Sequence, residues 1–93
     1  MKVVIRAQAA EDLEIIYRWI AKDSPGNAGM VLDRLLDAID RIIPAFPKIG
    51  RVGRVDSTRE WIISGLPYII VYTIDEARDL ISVIGIFHGA QNR

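Results

Sequence analysis

The chain has 93 residues, 51% of them apolar, with twelve basic side chains balancing twelve acidic ones and no cysteine. That length suits a single domain spanning 1–93, and a chain this short hides only about 60–65% of its unfolded surface, so the core is small. The lack of cysteine excludes a disulfide scaffold and thiolate metal sites and favours a reducing compartment, while zero net charge gives no overall pull toward nucleic acid.

Val3, Val4 and Ile5 form a β-branched run that predicts a first strand. No secretion signal is read there, because no longer apolar stretch follows a basic start. The longest apolar runs, 66–72 and 83–87, fall far below the roughly 18 residues of a membrane span, so a soluble, cytoplasmic protein is expected.

Leu13, Ile16, Tyr17 and Ile20 share one face of a first helix, with Glu11, Asp12 and Glu14 toward its start and Lys22 toward its end, as the helix dipole favours. Ser24-Pro25 opens a second helix: serine can accept from free amides, and proline loses nothing in the first turn. Leu32, Leu35, Leu36, Ile39, Ile42 and Ile43 give the strongest helical periodicity, with Asp33, Arg34, Asp37, Asp40 and Arg41 on the other face. Pro44 and Pro47 are expected to stop this helix. The short Asp23–Ser24 corner makes the two helices an antiparallel hairpin. Trp19 and Trp61 are read as core, with Trp61 able to reach a rim.

Between 48 and 59 stand four basic residues, Lys48, Arg51, Arg54 and Arg59, against one acid, Asp56. Such a run is either a solvated loop or a contact for phosphate or an acidic protein. The remainder reads as strands at 60–64, 68–74 and 80–87, separated by Gly65-Leu66-Pro67 and a polar turn at 75–79. The order β-α-α-β-β-β predicts an α+β fold, a helical hairpin packed on a small, mainly antiparallel sheet.

Two helices side by side span roughly 20 Å, about the width of four strands, so they cover one face of the sheet. In the 68–74 strand, Tyr68, Ile70, Tyr72 and Ile74 alternate with Ile69, Val71 and Thr73, leaving it apolar on both faces. Unless loops, the termini or a helix cover it, the spare face exposes apolar surface of the kind that marks a protein-binding site.

Several segments resemble the RelE/ParE superfamily of type II toxins, and in particular its ParE-like, plasmid-stabilisation branch. "AAEDLEIIYRWIAKDSP" is similar to the family's A-x-x-D-L-x-x-I-x-x-Y/W-I pattern through Ala9, Asp12, Leu13, Ile16, Trp19 and Ile20. "FPKIGR" resembles its P-x-x-G-R through Pro47, Gly50 and Arg51. "TREWIISGLPYIIVYTID" resembles its central hairpin, and "ISVIGIFHGAQ" its last strand with a terminal histidine. The resemblance implies a toxin masked by a cognate antitoxin, ParD-like or similar. It leaves two activities open: ribosome-dependent cleavage of messenger RNA, as in RelE-like members, or inhibition of DNA gyrase by binding, as in ParE-like ones. A non-toxic binding-domain relative is a third reading.

RNA cleavage would need a base for the 2′-hydroxyl, an acid for the leaving oxygen and cations for the phosphate. Arg51, Arg54, Arg59, Glu60, Arg78 and His88 are the available groups, with Arg51, Arg59, Glu60 and His88 the catalytic set under that reading. Ile69 stands where RelE-like nucleases carry an arginine that meets the scissile phosphate, and an aliphatic side chain neither neutralises nor donates. Arg59 and Glu60, adjacent on a strand, point to opposite faces, so Glu60 is read as one half of a cross-strand charge pair. His88 is read as a strand-end hydrogen-bonding residue. Gln91, where relatives often carry arginine, bears on potency. The expectation is a gyrase-binding toxin without catalytic residues, metal or cofactor, meeting antitoxin or target through candidates Arg51, Arg54, Arg59, Ile69, Val71 and His88. Direct nucleic-acid binding and membrane association are not expected.

Overall fold

The structure, a computed structural model, describes residues 1–89, so Gln91 lies outside the described residues. The β-branched start forms β1 (Lys2–Ile5), followed by helix α1 (Ala7–Ala21) and helix α2 (Pro25–Asp37). A π-helical turn, Ala38–Ile42, carries α2 into α3 (Ile43–Ala45). Four strands follow: β2 (Arg51–Val52), β3 (Thr58–Ile62), β4 (Tyr68–Asp75) and β5 (Leu80–His88). The sheet order is β1-β5-β4-β3-β2; β1 pairs with β5 in parallel, and the other neighbours are antiparallel.

The sheet therefore has five strands where the sequence predicts four. β2 is two residues long and exposed, which leaves no hydrophobic alternation to read, and only its pairing with β3 defines it. β3 begins two residues earlier than predicted, because Thr58 and Arg59 also pair with β4.

Leu35, Ile39 and Ile43 are fully buried at spacings of four, and each such side chain contributes about 1.5–3 kcal/mol of burial. In an unbroken α-helix this spacing drifts around the axis, since a turn holds 3.6 residues. The π turn absorbs the drift: the Ile43 N–H donates to the Ala38 carbonyl, five residues back. The same slip lets the helix pass Pro44, which has no N–H, so Pro44 sits inside α3 rather than ending the helix before it. Truncating Ile39 in this seam would cost about 2–5 kcal/mol.

Other helix details differ from expectation. α1 begins at Ala7, one turn ahead of Glu11, so no acid lies in its first turn. Ser24 precedes α2 but its side chain makes no capping hydrogen bond. Leu13 is buried and Ile16 and Ile20 half-buried, whereas Tyr17 is exposed. Trp19 is 69% exposed, not core, with the Lys22 ammonium 5.4 Å from its ring centre. Trp61 packs against the core.

On the face toward the helices, Tyr68, Ile70 and Tyr72 of β4 pack with Ile81, Val83 and Ile86 of β5. The opposite face is less bare than the alternation predicts. Val71 lies between Gly85 on β5 and Glu60 on β3, and Ile69 between Phe87 and Ile62. A Cβ on Gly85 would lie 2.9 Å from the Phe87 ring, so that ring occupies the space beside Val71. Glu60 fills the other flank. Val71 and Ile69 end up 2% and 8% exposed, while Ile62, beside Ile69 at the border of this face, is 50% exposed.

Candidate functional site

The basic segment, a loop that carries the short strand β2, is held on both sides by strand β3. On the helix-covered face, Arg59 and Tyr72 are register partners on β3 and β4. The buried Tyr72 hydroxyl donates to the Pro47 carbonyl at 2.6 Å and accepts the Gly50 N–H at 3.0 Å. Arg59 Nη1 donates to the Gly50 carbonyl at 2.6 Å and lies 3.5 Å from that of Lys48. A Cβ on Gly50 would meet the Tyr72 hydroxyl at 2.8 Å, so this approach requires glycine. Burial pushes the Tyr72 phenol above its ordinary 10.0, outweighing the Gly50 amide and the Arg59 charge, which pull the other way. At neutral pH the hydroxyl thus keeps the proton it gives to Pro47.

The adjacent residue does the same work on the other face. Glu60 is 4% exposed and pairs across the strands with Arg51, Nη2 to Oε1 at 3.5 Å. Its other oxygen accepts the Arg54 N–H at 3.1 Å. Beyond it, Gly53 N–H donates to the Thr58 carbonyl at 2.8 Å, and Thr58 Oγ1 donates to the Val55 carbonyl at 2.6 Å. Ser57 takes a positive φ of 67° to turn this hairpin. Arg59 and Glu60 do point to opposite faces, and the cross-strand partner of Glu60 is Arg51.

His88 lies at the far end of the sheet. It pairs with Tyr68, and the two rings meet edge to face at 5.5 Å. Tyr68 and Tyr72 are four residues apart along β4, about 13 Å, and β5 and β3 flank β4 on opposite sides, so His88 is remote from Arg59 and Glu60. Arg78 sits in the β4–β5 turn beside Asp75, at 3.8 Å, at the other end of β5. Arg51, Arg54, Arg59 and Glu60 therefore gather around one loop, and His88 does not join them. Ile69 and Val71 offer little surface, while Arg51 and Arg54 are exposed. Among the described residues no group of three or more His, Asp or Glu side chains could hold a metal ion, and no helix is long and apolar enough to cross a membrane.

Two tying residues escaped the sequence reading. One is Tyr72, whose hydroxyl bridges the Pro47 carbonyl and the Gly50 N–H. Asp12 is the other: its carboxylate accepts the Ile86 N–H at 3.0 Å, joining α1 to β5 beside an irregularity in the β4–β5 ladder. The signal for Tyr72 was available, since a buried phenol needs a partner. Asp12 on a helix face gives no such signal, because its acceptor role depends on the strand brought beside it.

The fold of a five-stranded sheet with paired helices is shared with solved structures of bacterial toxin–antitoxin systems. Solved structures with this fold include the chromosomal ParDE system of P. aeruginosa, with 18% identity, a TM-score of 0.76 and 95% of each chain covered. The RelBE2 toxin–antitoxin complex of Mycobacterium tuberculosis aligns with 18% identity and a TM-score of 0.71 over 97% of this chain and 92% of that one. The isolated E. coli RelE toxin aligns with 11% identity and a TM-score of 0.61, over 99% and 87%. In sequence, the chain is 36% identical over 77 residues to the candidate toxin Y4kP of Sinorhizobium fredii, 83% of this chain and 79% of that protein. Residues 3–93 match the family described as ParE toxin of type II toxin-antitoxin system, parDE. The chain belongs to the ParE toxin family.

Proposed function

We propose that this protein is the toxin of a type II pair, held inactive by an antitoxin encoded beside it, and that it arrests growth in the cytoplasm by binding DNA gyrase. The observation that carries the reading is the family match along nearly the whole chain. The site geometry agrees with action by binding. Arg59 and Glu60, two of the groups an RNA-cleaving site would need, spend their hydrogen bonds on fixing a loop. His88 stands apart from them, and Ile69 replaces the phosphate-facing arginine of RelE-like nucleases with a buried aliphatic side chain. With no acid–base pair converging among the described residues and no arginine at position 69, obstruction of a partner fits these residues better than chemistry on RNA.

Induction in a bacterial host tests this. The expected result is growth arrest with plasmid losing negative supercoiling while ribosome-bound transcripts stay intact, all reversed by co-expressing the adjacent antitoxin gene. Transcripts cut at the ribosome would place the protein with the RelE-like nucleases. Growth without arrest would make it an inert relative.

A further inference from the structure

The segment 46–55 combines three properties that nowhere else coincide among the described residues. It is apolar where it should be wet: Phe46, Val52 and Val55 are 64%, 75% and 62% exposed, and Ile49 is exposed beside them. It is also basic, with Lys48, Arg51 and Arg54 and no acid. Arg51 is engaged by Glu60, yet its side chain remains 68% exposed, and neither Lys48 nor Arg54 forms an ion pair with a described residue. Finally, it is fixed. The buried Tyr72 hydroxyl, the Arg59 guanidinium and the buried Glu60 carboxylate all bond its backbone.

Holding the loop by three polar groups of the sheet stabilises the fold, and in a docking ridge it also orders the contact surface in advance. A backbone ordered beforehand loses less entropy on binding. Apolar knobs between cations suit a protein surface with hydrophobic pockets and acidic rims, where the charges steer encounter and the apolar groups supply affinity. A nucleic acid would instead call for a denser run of cations. A preformed ridge suits rigid-body docking on a partner that is itself folded, where the interface backbone moves little.

We propose that residues 46–55 form the surface by which this toxin docks on its target, and that the target presents a folded, acidic surface with apolar pockets. The inference rests on the toxin reading above and adds the contact face to it.

The test compares wild type with Phe46→Ser and Lys48→Glu, taking Met30→Ser, an equally exposed apolar side chain on α2, as the control. Circular dichroism melts confirm that each variant folds. Growth arrest on induction and inhibition of purified gyrase are then both measured. The expectation is at least a tenfold loss of potency for Phe46→Ser and for Lys48→Glu, with Met30→Ser unchanged. If wild type inhibits gyrase and the two loop variants do so equally well, the docking face is wrong while the gyrase reading stands. If wild type arrests growth without touching gyrase, the gyrase reading falls, and the loop variants still decide the docking face through their effect on arrest. Variants that arrest growth normally but escape the co-expressed antitoxin would assign the ridge to the antitoxin and overturn the proposal. Loss of RNA binding as their main effect would overturn it as well.

Discussion

The Tyr72 hydroxyl and the Gly50 backbone amide meet at 3.0 Å, tying the middle of the sheet to a loop twenty-two residues earlier in the chain. With Arg59 beside it, this contact converts a glycine-containing basic run into a fixed surface feature.

Tyr72→Phe keeps the ring and removes the bridge. The buried Gly50 N–H then lacks its partner, a loss of about 1–3 kcal/mol. Urea unfolding should show the lower midpoint, and amide exchange at Gly50 should quicken. Gly50→Ala should produce the same loosening by pushing the hydroxyl away. An unchanged exchange rate in both variants would mean the bridge does not hold the loop.

Glu60 and Arg51 form one ion pair with unequal stakes. Arg51 is 68% exposed, so Arg51→Ala should cost less than about 1 kcal/mol, and added salt should shrink that further. Glu60→Ala also strips the acceptor from the Arg54 amide and should cost about 1.5–3 kcal/mol. Equal losses in denaturation experiments would contradict this division.

Asp12→Ala should destabilise by about 1–3 kcal/mol, because the Ile86 N–H loses its acceptor where α1 meets β5. Asp12→Asn, whose side-chain oxygen still accepts, should lose less. Denaturant midpoints for the pair of variants decide the point, and an Asn variant as weak as Ala would rule out a simple acceptor role.

Alkaline pH should unfold the protein through its buried phenols. Burial raises the ionisation of both Tyr68 and Tyr72 above 10.0, so the folded state holds these protons more tightly than the unfolded one. Their contribution is complete below pH 10.0 and is lost as pH rises beyond it. Tyr72→Phe should flatten that decline. A stability that climbs between pH 10 and 11 would have the wrong sign.

The helices were legible because burial imposes periodicity on one chain segment at a time. Leu35, Ile39 and Ile43 announce their face without help from the rest of the fold. The π turn was not, since nothing before Pro44 marks where the backbone slips. β2 was hidden for a related reason: a two-residue strand is defined by its neighbour, and Arg51-Val52 looks like loop. Trp19 misled because its place in a helical pattern says core while the fold leaves it in water. At the candidate site, the opposite facing of Arg59 and Glu60 followed from strand geometry. What each side chain held did not, because Lys48, Gly50 and Arg54 reach them only after the loop has folded back.

Supercoiling of relaxed plasmid by purified gyrase and ATP, titrated with the toxin and run beside a ribosome–mRNA cleavage assay, tests the central claim most directly. Dose-dependent loss of supercoiling with intact message, restored by adding the antitoxin, is the predicted result. Full gyrase activity alongside cut message would contradict it.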